Sequence, residues 1–191
     1  MSTQPVTYPS AEQYLEVERA AEFRSEYLNG EIYPMAGGGF IRALLAAAVI
    51  ARLDEQLRGK PCVAAGSDLR LFCEPANVFT YPDVVVSCEP RRFLDGQKDT
   101  LTDAAVTVEV LSRSTQNYDR GEKFRFYRGL PSFSEYVLLV QDAIRAEHHV
   151  RQKDGSWLFR EWNGPEAVVD LKSIGCRLSL GSLYERVEFE A

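Results

Sequence analysis

The sequence contains few cysteines and histidines, and this scarcity limits the metal centres that it can form. His148 and His149 are adjacent, so on a strand they point to opposite faces and cannot share one ion. The cysteines include no C-x-x-C pair, which argues against a zinc site. We expect all of them to be reduced and mostly buried in the core, as is usual in the cytosol. They are Cys62, Cys73, Cys88 and Cys176.

The chain also lacks a long apolar segment. Its longest apolar run, Ala43 to Ala51, is too short to span a bilayer. The polar segment Met1 to Pro9 has no apolar centre of the kind found in signal peptides. These features predict a cytoplasmic protein that does not enter a membrane.

Positive charge is scarce overall, since the net charge is −6. That balance argues against a protein that coats nucleic acid through bulk electrostatics. The stretch from Ser112 to Leu130 is an exception, with five basic and two acidic residues. Two interpretations are open: this segment contacts a polyanion, or it is a solvated helix face with i,i+4 ion pairs.

The 191 residues predict one domain, residues 1–191, that is large enough to bury a core. Helices are expected at about 11–23, 41–57 and 117–130, and the order of helices and strands predicts an α+β fold with a mixed sheet. The turn signals Asn29-Gly30 and Asp154-Gly155 separate some of these elements. Strands are expected at residues 31–35, 62–72, 82–87, 104–112, 135–140, 143–151, 157–162 and 168–169.

Two of the predicted strands each carry one acidic residue in an otherwise apolar run. Asp83 lies in Tyr-Pro-Asp-Val-Val-Val, and Glu109 lies in Val-Thr-Val-Glu-Val-Leu. On the second strand, strict alternation places Glu109 on the face opposite Val108 and its neighbouring valines. Ionised carboxylates are rarely buried without a partner, so two of them suggest a shared cation. Oxygen ligands of this kind suit Mg²⁺ or Mn²⁺.

Lys123 follows on a predicted helix and completes a candidate phosphodiesterase site. The metal would polarise a phosphate and activate water, and the ammonium would stabilise charge that develops on phosphorus. Structural explanations remain open for the same residues. Asp119 and Lys123 could form a simple i,i+4 pair, and Glu109 could be the buried partner of an arginine.

Several sequence blocks resemble the PD-(D/E)XK, or restriction-endonuclease-like, superfamily, and more closely its Uma-type family of bacterial proteins. The resemblance extends from about residue 10 to residue 187, and the part from Glu109 to Lys123 is its most specific portion. The matching blocks are EYLNGEI (26–32), MAGG (35–38), GSDLR (66–70), YPDVVV (81–86), VEVLSRST (108–115), YDRGEKF (118–124) and EYVLLVQD (135–142).

The resemblance implies a restriction-endonuclease-like core in which Asp83 and Glu109 bind the metal. The superfamily's lysine would fall at Leu111, which cannot serve, so the resemblance implies that Lys123 has replaced it from the following helix. Glu31 is a further candidate metal ligand, with an exposed strand position as the alternative. Arg42 stands near a point where related sequences commonly have a histidine.

The expected function is therefore a Mg²⁺-dependent or Mn²⁺-dependent endonuclease that cleaves DNA, with Asp83, Glu109 and Lys123 as catalytic residues. We expect a homodimer, because cleavage of both strands needs two sites and C₂ pairing is the commonest assembly. The alternative is a catalytically inert homodimer of the same fold that binds nucleic acid or a partner protein.

Overall fold

The structure is a computed structural model that describes residues 10–35 and 37–189. Met1 to Pro9, where no signal peptide is expected, and Ala36 of the MAGG block lie outside the described residues. The helices are α1 (Ala11–Ala20), α2 (Phe40–Leu57), α3 (Gln116–Tyr118), α4 (Phe124–Tyr127) and α5 (Leu180–Leu183), and a π-helical turn (Asp119–Lys123) joins α3 to α4. The strands are β1 (Ser25–Leu28), β2 (Glu31–Pro34), β3 (Cys62–Gly66), β4 (Arg70–Cys73), β5 (Val78–Thr80), β6 (Val84–Cys88), β7 (Thr100–Leu101), β8 (Val106–Leu111), β9 (Glu135–Val140), β10 (Arg145–Arg151), β11 (Trp157–Asn163), β12 (Val168–Leu171) and β13 (Cys176–Ser179).

The strands form two mixed sheets and a small separate pair. One sheet has the order β11-β10-β9-β8-β6-β3, with β8 and β9 parallel and its other neighbours antiparallel. The other has the order β2-β1-β5-β4-β7, and β12 pairs with β13. The predicted α+β class, with a mixed sheet flanked by helices, is confirmed. Among the described residues, no helix is long and apolar enough to cross a membrane.

The six-stranded sheet has an apolar core on each face. Val106, Val108 and Val110 of β8 pack in the same cluster as α2, which contributes one buried stripe at four-residue spacing, namely Leu45, Val49, Leu53 and Leu57. Leu111 belongs to the cluster on the opposite face, with Phe126 of α4. The alternation predicted for β8 is therefore confirmed, and it directs Glu109 towards α4. Each fully buried valine or leucine contributes about 1.5–3 kcal/mol.

The hairpin of β1 and β2 was only partly predicted. Its turn, Asn29-Gly30, has φ angles of 47° and 105°, which asparagine and glycine tolerate best. The predicted strand after the turn is confirmed as β2, which lies at a sheet edge, but β1 before it was not predicted. This omission matters because β1 carries Glu26.

Two elements that were predicted to be continuous are interrupted in the structure. Residues 62–72 were expected to form one strand, but β3 and β4 belong to different sheets and are separated by the turn at Ser67-Asp68. Residues 117–130 were expected to form a regular helix, but the segment contains the π-helical turn between α3 and α4. A residue pattern records the apolar face of an element and does not reveal where the chain changes sheets.

The expectation that all four thiols are reduced was also wrong. Cys62 and Cys88 are register partners on the antiparallel strands β3 and β6, and a disulfide joins them. Cys73 and Cys176 are free and buried, as expected. The two cysteines are 26 residues apart in sequence, and only the pairing of β3 with β6 brings them together.

Candidate active site

Asp83 and Glu109 lie side by side because β6 and β8 pair antiparallel. Val84 is opposite Val108 in this pairing, which brings the preceding Asp83 next to Glu109. The backbone N–H of Asp83 donates to Glu109 Oε2 at 3.4 Å, and the N–H of Val110 donates to Asp83 Oδ2 at 2.8 Å. Both acids are buried, with 6% and 0% of their surfaces exposed.

Lys123 reaches the same place from the π-helical turn. Its Nζ lies 3.0 Å from Glu109 Oε1, 3.7 Å from Glu26 Oε1 and 3.8 Å from Asp119 Oδ1. π-helical turns are rare and occur frequently at functional sites. This turn buries both Asp119 and Lys123. The structure thus brings Asp83, Glu109 and Lys123 together from two strands and one helical segment.

Three further side chains belong to this cluster, although the sequence did not single them out as site residues. Glu26 of β1 accepts hydrogen bonds from Thr80 and Tyr118 and approaches Lys123. Asp119 accepts from Thr115 Oγ1 at 2.7 Å. Tyr127 donates its hydroxyl to Glu109 Oε1 at 2.8 Å. The i,i+4 spacing to Lys123 indicated that Asp119 could lie near the site. Glu26 could not be identified from the sequence, because its position depends on β1 and on the sheet that β1 joins.

Arg42 occupies a central position that the sequence left open. It lies in the first turn of α2, and its Nε donates to Asp83 Oδ1 at 2.7 Å. Gly38 passes so close that a Cβ built there would stand 3.0 Å from Arg42 Cδ. The arginine partner considered for Glu109 is therefore found on the neighbouring acid, Asp83.

The structure does not bring Glu31 to the other predicted residues. Its side chain is exposed at the start of β2 and accepts a hydrogen bond from Tyr33. It faces a different hollow, whose walls include Glu122 and Arg125. Glu26, from the same hairpin, is the acid that approaches Lys123, and a metal-binding role for Glu31 stays a prediction.

Burial and like charge dominate the electrostatics of the cluster. Burial raises the pKa of Glu109 to about 8, with Asp83 and Asp119 adding to the effect and Lys123 opposing it. Burial likewise raises the pKa of Asp119. Burial alone would lower the pKa of Lys123, but Glu109, Glu26 and Asp119 outweigh it and raise that pKa. The pKa of Arg42 is raised in the same way, because Asp83 outweighs the cost of burial.

A cleft of about 420 Å³ opens onto this cluster. Its walls include Arg42, Lys123, Asp119, Glu26, Ser112 and Gln141, and the loop Gly37 to Gly39 forms one rim. Arg42 and Lys123 each contact one of the two deeper acids, Asp83 and Glu109, which are not part of the wall. In the part of the chain that the structure describes, no three histidine, cysteine or acidic side chains are grouped to hold a metal ion.

The fold has a close structural counterpart among solved proteins. The structure superposes on the "putative nuclease belonging to DUF820" from Anabaena variabilis with a TM-score of 0.76, covering 96% of this chain and 100% of that chain at 18% identity. At this identity the similarity establishes the fold, which is that of restriction-endonuclease-like proteins.

Sequence similarity establishes the family. The Uma2 family, described as "Putative restriction endonuclease", matches residues 11–181. The uncharacterised protein slr1290 of Synechocystis sp. is 32% identical over 182 residues, covering 94% of this chain and 93% of that protein. A second Synechocystis protein, sll1609, is 33% identical over 161 residues, covering 84% and 91%. The chain belongs to the Uma2 family, and membership of this family supports a nuclease-like function.

Proposed function

We propose that the protein is an endonuclease that uses Mg²⁺ or Mn²⁺ to hydrolyse phosphodiester bonds of DNA. The observation that supports this most strongly is the convergence of Asp83, Glu109 and Lys123, with Lys123 Nζ 3.0 Å from Glu109 Oε1. The three groups come from separate elements of the chain, and all three are buried. Buried charged groups that converge in this way are typical of functional sites.

The donor set fits a hard divalent cation. The cluster holds four carboxylates, on Glu26, Asp83, Glu109 and Asp119, against the two cations Arg42 and Lys123. Asp83 and Glu109 would hold the ion, since Mg²⁺ is commonly bound by one or two carboxylates together with substrate phosphate and water. Arg42 would have to release Asp83 Oδ1. When bound, the ion would polarise the phosphate and lower the pKa of the attacking water.

The chain's own residues have separate tasks in this scheme. Hydrolysis adds a water oxygen to phosphorus and breaks one bond from phosphorus to a sugar oxygen, so negative charge grows on the phosphate. Lys123, on the wall of the cleft, would stabilise that charge with its ammonium group. Tyr127 would hold Glu109 in place through its 2.8 Å hydrogen bond. Three acids hold the ammonium group of Lys123 in this position before any substrate binds.

Plasmid nicking combined with thermal unfolding tests the proposal. In the wild-type protein we expect nicking in Mg²⁺ or Mn²⁺ and a rise in melting temperature on adding the ion, because the ion binds only the native state. Asp83→Asn and Glu109→Gln should abolish both. Lys123→Ala should reduce nicking and keep the thermal shift, because the amine acts on the transition state.

Asp170→Asn and Lys172→Ala, which change exposed residues elsewhere, serve as matched controls. Comparing Glu26→Gln with Glu31→Gln shows which acid of the β1–β2 hairpin affects the ion. A thermal shift that persists in Asp83→Asn would place the ion elsewhere and refute the assigned site.

The inert alternative also has an observation in its favour. Arg42 already neutralises Asp83 at 2.7 Å, and the described residues offer no group of three metal ligands. A protein of this kind would bind nucleic acid or a partner without cleaving it. Absence of nicking and of any metal-dependent shift, over several DNA substrates, would favour this alternative.

We further propose that the protein acts as a homodimer, since two sites are needed to cut both strands. Light scattering should give twice the 21.5 kDa chain mass at micromolar concentration. A monomer mass that persists when DNA is added would refute this assembly.

The proposed location is the cytoplasm, where DNA is accessible. A disulfide such as Cys62–Cys88 is rare in reducing compartments. Trapping thiols with an alkylating reagent in intact cells therefore tests the location, and a fully oxidised pair would argue against the cytoplasm.

A further inference from the structure

A second cavity adjoins the cleft, and we call it the flanking groove. It has a volume of about 380 Å³, and its walls include Ser112, Arg113, Arg120, Gln141, Arg145 and Phe189. Ser112 and Gln141 line both the cleft and the flanking groove, so the two cavities lie side by side.

The position of the flanking groove follows from the parallel pairing of β8 and β9. Leu111 and Val140 are partners at the carboxyl ends of these strands, and the chain enters the groove at the next residue of each. The hydroxyl of Tyr184 lies 2.7 Å from the carbonyl oxygen of Val140 and 3.1 Å from that of Arg145, so it ties the end of β9 to the start of β10. The groove therefore lies at the carboxyl ends of the two strands and is lined in part by the turns that follow them.

Positive charge concentrates in this groove although the whole chain is acidic. Three arginines line it, against one acid, Asp142. Arg120 is engaged, since its guanidinium donates to Glu147 at 2.7 and 3.0 Å and to Gln116 at 2.7 Å. Arg113 and Arg145 form no ion pair with any residue that the structure describes.

The guanidinium group of Arg145 donates to none of the residues that the structure describes. Its Nε is buried and has no hydrogen-bond partner among the described residues. The Nε atoms of Arg70, Arg91 and Arg151 are in the same state, and a buried Nε does not itself reach a ligand in the groove. The donors that Arg145 offers on the groove wall are therefore its terminal N–H groups. The planar guanidinium group, with several N–H donors in a fixed fork, matches phosphate oxygens.

We propose that the flanking groove binds the backbone phosphate next to the phosphodiester bond that is cleaved, through Arg113 and Arg145. This inference rests on the proposed nuclease function, because the neighbouring cleft must hold the scissile phosphate. The role of the two arginines is to position the strand, and they do not take part in the bond-breaking step.

Fluorescence anisotropy with a labelled DNA duplex tests the proposal, in EDTA to prevent metal-dependent cleavage and at several salt concentrations. Arg113→Ala/Arg145→Ala should weaken binding by about tenfold or more, and it should reduce the slope of log K against log salt by about 1, as expected for one lost phosphate contact. The matched control is Arg52→Ala/Arg58→Ala, which removes two exposed charges, one from the C-terminal half of α2 and one from the residue that follows it. It should change neither quantity appreciably.

Chemical modification of the DNA makes the test specific to one phosphate. Neutral methylphosphonates placed one at a time along the strand should weaken wild-type binding at a position beside the cleavage site. The double variant should be insensitive to that same replacement. Because Arg145 is partly buried, the single variant Arg113→Ala, at an exposed residue, guards against misfolding as the cause.

The outcomes separate the groove from the catalytic site. Normal DNA binding and salt slope in the double variant, with wild-type nicking, would overturn the groove assignment and leave the nuclease proposal intact. A wild-type protein that neither binds nor cleaves DNA would refute both. Inorganic phosphate that protects the wild-type protein but not the double variant from unfolding, without a change in DNA affinity, would indicate a free-anion site and overturn the assignment.

Discussion

At the scale of single residues, Arg42 controls how readily the site can accept a cation. Its guanidinium neutralises Asp83 at 2.7 Å and thereby stabilises the protein without metal. The same contact occupies the oxygen that a divalent ion would need. Arg42 therefore stabilises the metal-free protein and competes with a divalent ion for Asp83.

Arg42→Ala should destabilise the metal-free protein and strengthen binding of the ion. Without metal, we expect the free energy of unfolding to fall by about 1–3 kcal/mol, because Asp83 loses its charged partner. The Mn²⁺ concentration for half of the thermal shift should fall by about tenfold, since the competing cation is gone. Thermal unfolding over a Mn²⁺ titration measures both effects.

Arg52→Ala is the control for this experiment, because Arg52 lies on the same helix and is exposed. An unchanged Mn²⁺ midpoint in Arg42→Ala would show that Arg42 does not compete with the ion.

At the scale of secondary-structure elements, the strand pair β3–β6 links the site to the sheet edge. β3 is an edge strand of the six-stranded sheet, and the Cys62–Cys88 disulfide fastens it to β6, the strand that follows Asp83. An edge strand is hydrogen-bonded to one neighbour only, so the disulfide strengthens the attachment of β3 to the sheet.

Cys62→Ser/Cys88→Ser should lower the free energy of unfolding by about 3 kcal/mol, because the disulfide closes a loop of 26 residues in the unfolded chain. Urea unfolding with and without reductant measures this. Reductant should destabilise the wild-type protein and leave the double variant unaffected. Equal stability of the oxidised and reduced wild-type protein would show that the bond contributes little.

At the scale of the whole molecule, the buried acids make stability depend on pH. The folded-state pKa of Glu109 is raised to about 8, above its ordinary value of 4.5, so the folded protein retains a proton that the unfolded chain releases. This contribution is complete below pH 4.5 and is lost as pH rises towards 8. Asp119, whose pKa is also raised, acts in the same direction. The pKa of Glu135 is lowered, so its contribution to stability has the opposite pH dependence and is lost only as the pH falls into the acid range.

We therefore expect the metal-free protein to lose stability between pH 5 and 8, by an amount on the order of a few kcal/mol. Urea unfolding in EDTA at several pH values measures this loss. Glu109→Gln should flatten most of the decline, whereas Glu161→Gln, at an exposed position on β11, should leave it unchanged. A decline of equal size in Glu109→Gln would assign it to other groups.

Much of the fold was predictable because its determinants are local in sequence. The alternation from Val106 to Leu111 fixed which way Glu109 faces. Asp154-Gly155 marked one hairpin, and Asn29-Gly30 marked the turn of another whose first strand was not predicted. β1 escaped prediction because Ser25–Leu28 is short and has no strong pattern of its own. It is a strand because β2 and β5 flank it.

The α+β class, the faces of the main strands and the candidates Asp83, Glu109 and Lys123 could all be inferred from local sequence patterns. Only the tertiary structure placed Arg42 on Asp83, Glu26 beside Lys123, and Cys62 against Cys88. These contacts join residues that are far apart along the chain, and they depend on strand pairing and on the start of α2. Local patterns record which face of an element is apolar, whereas strand order and register decide which polar groups meet.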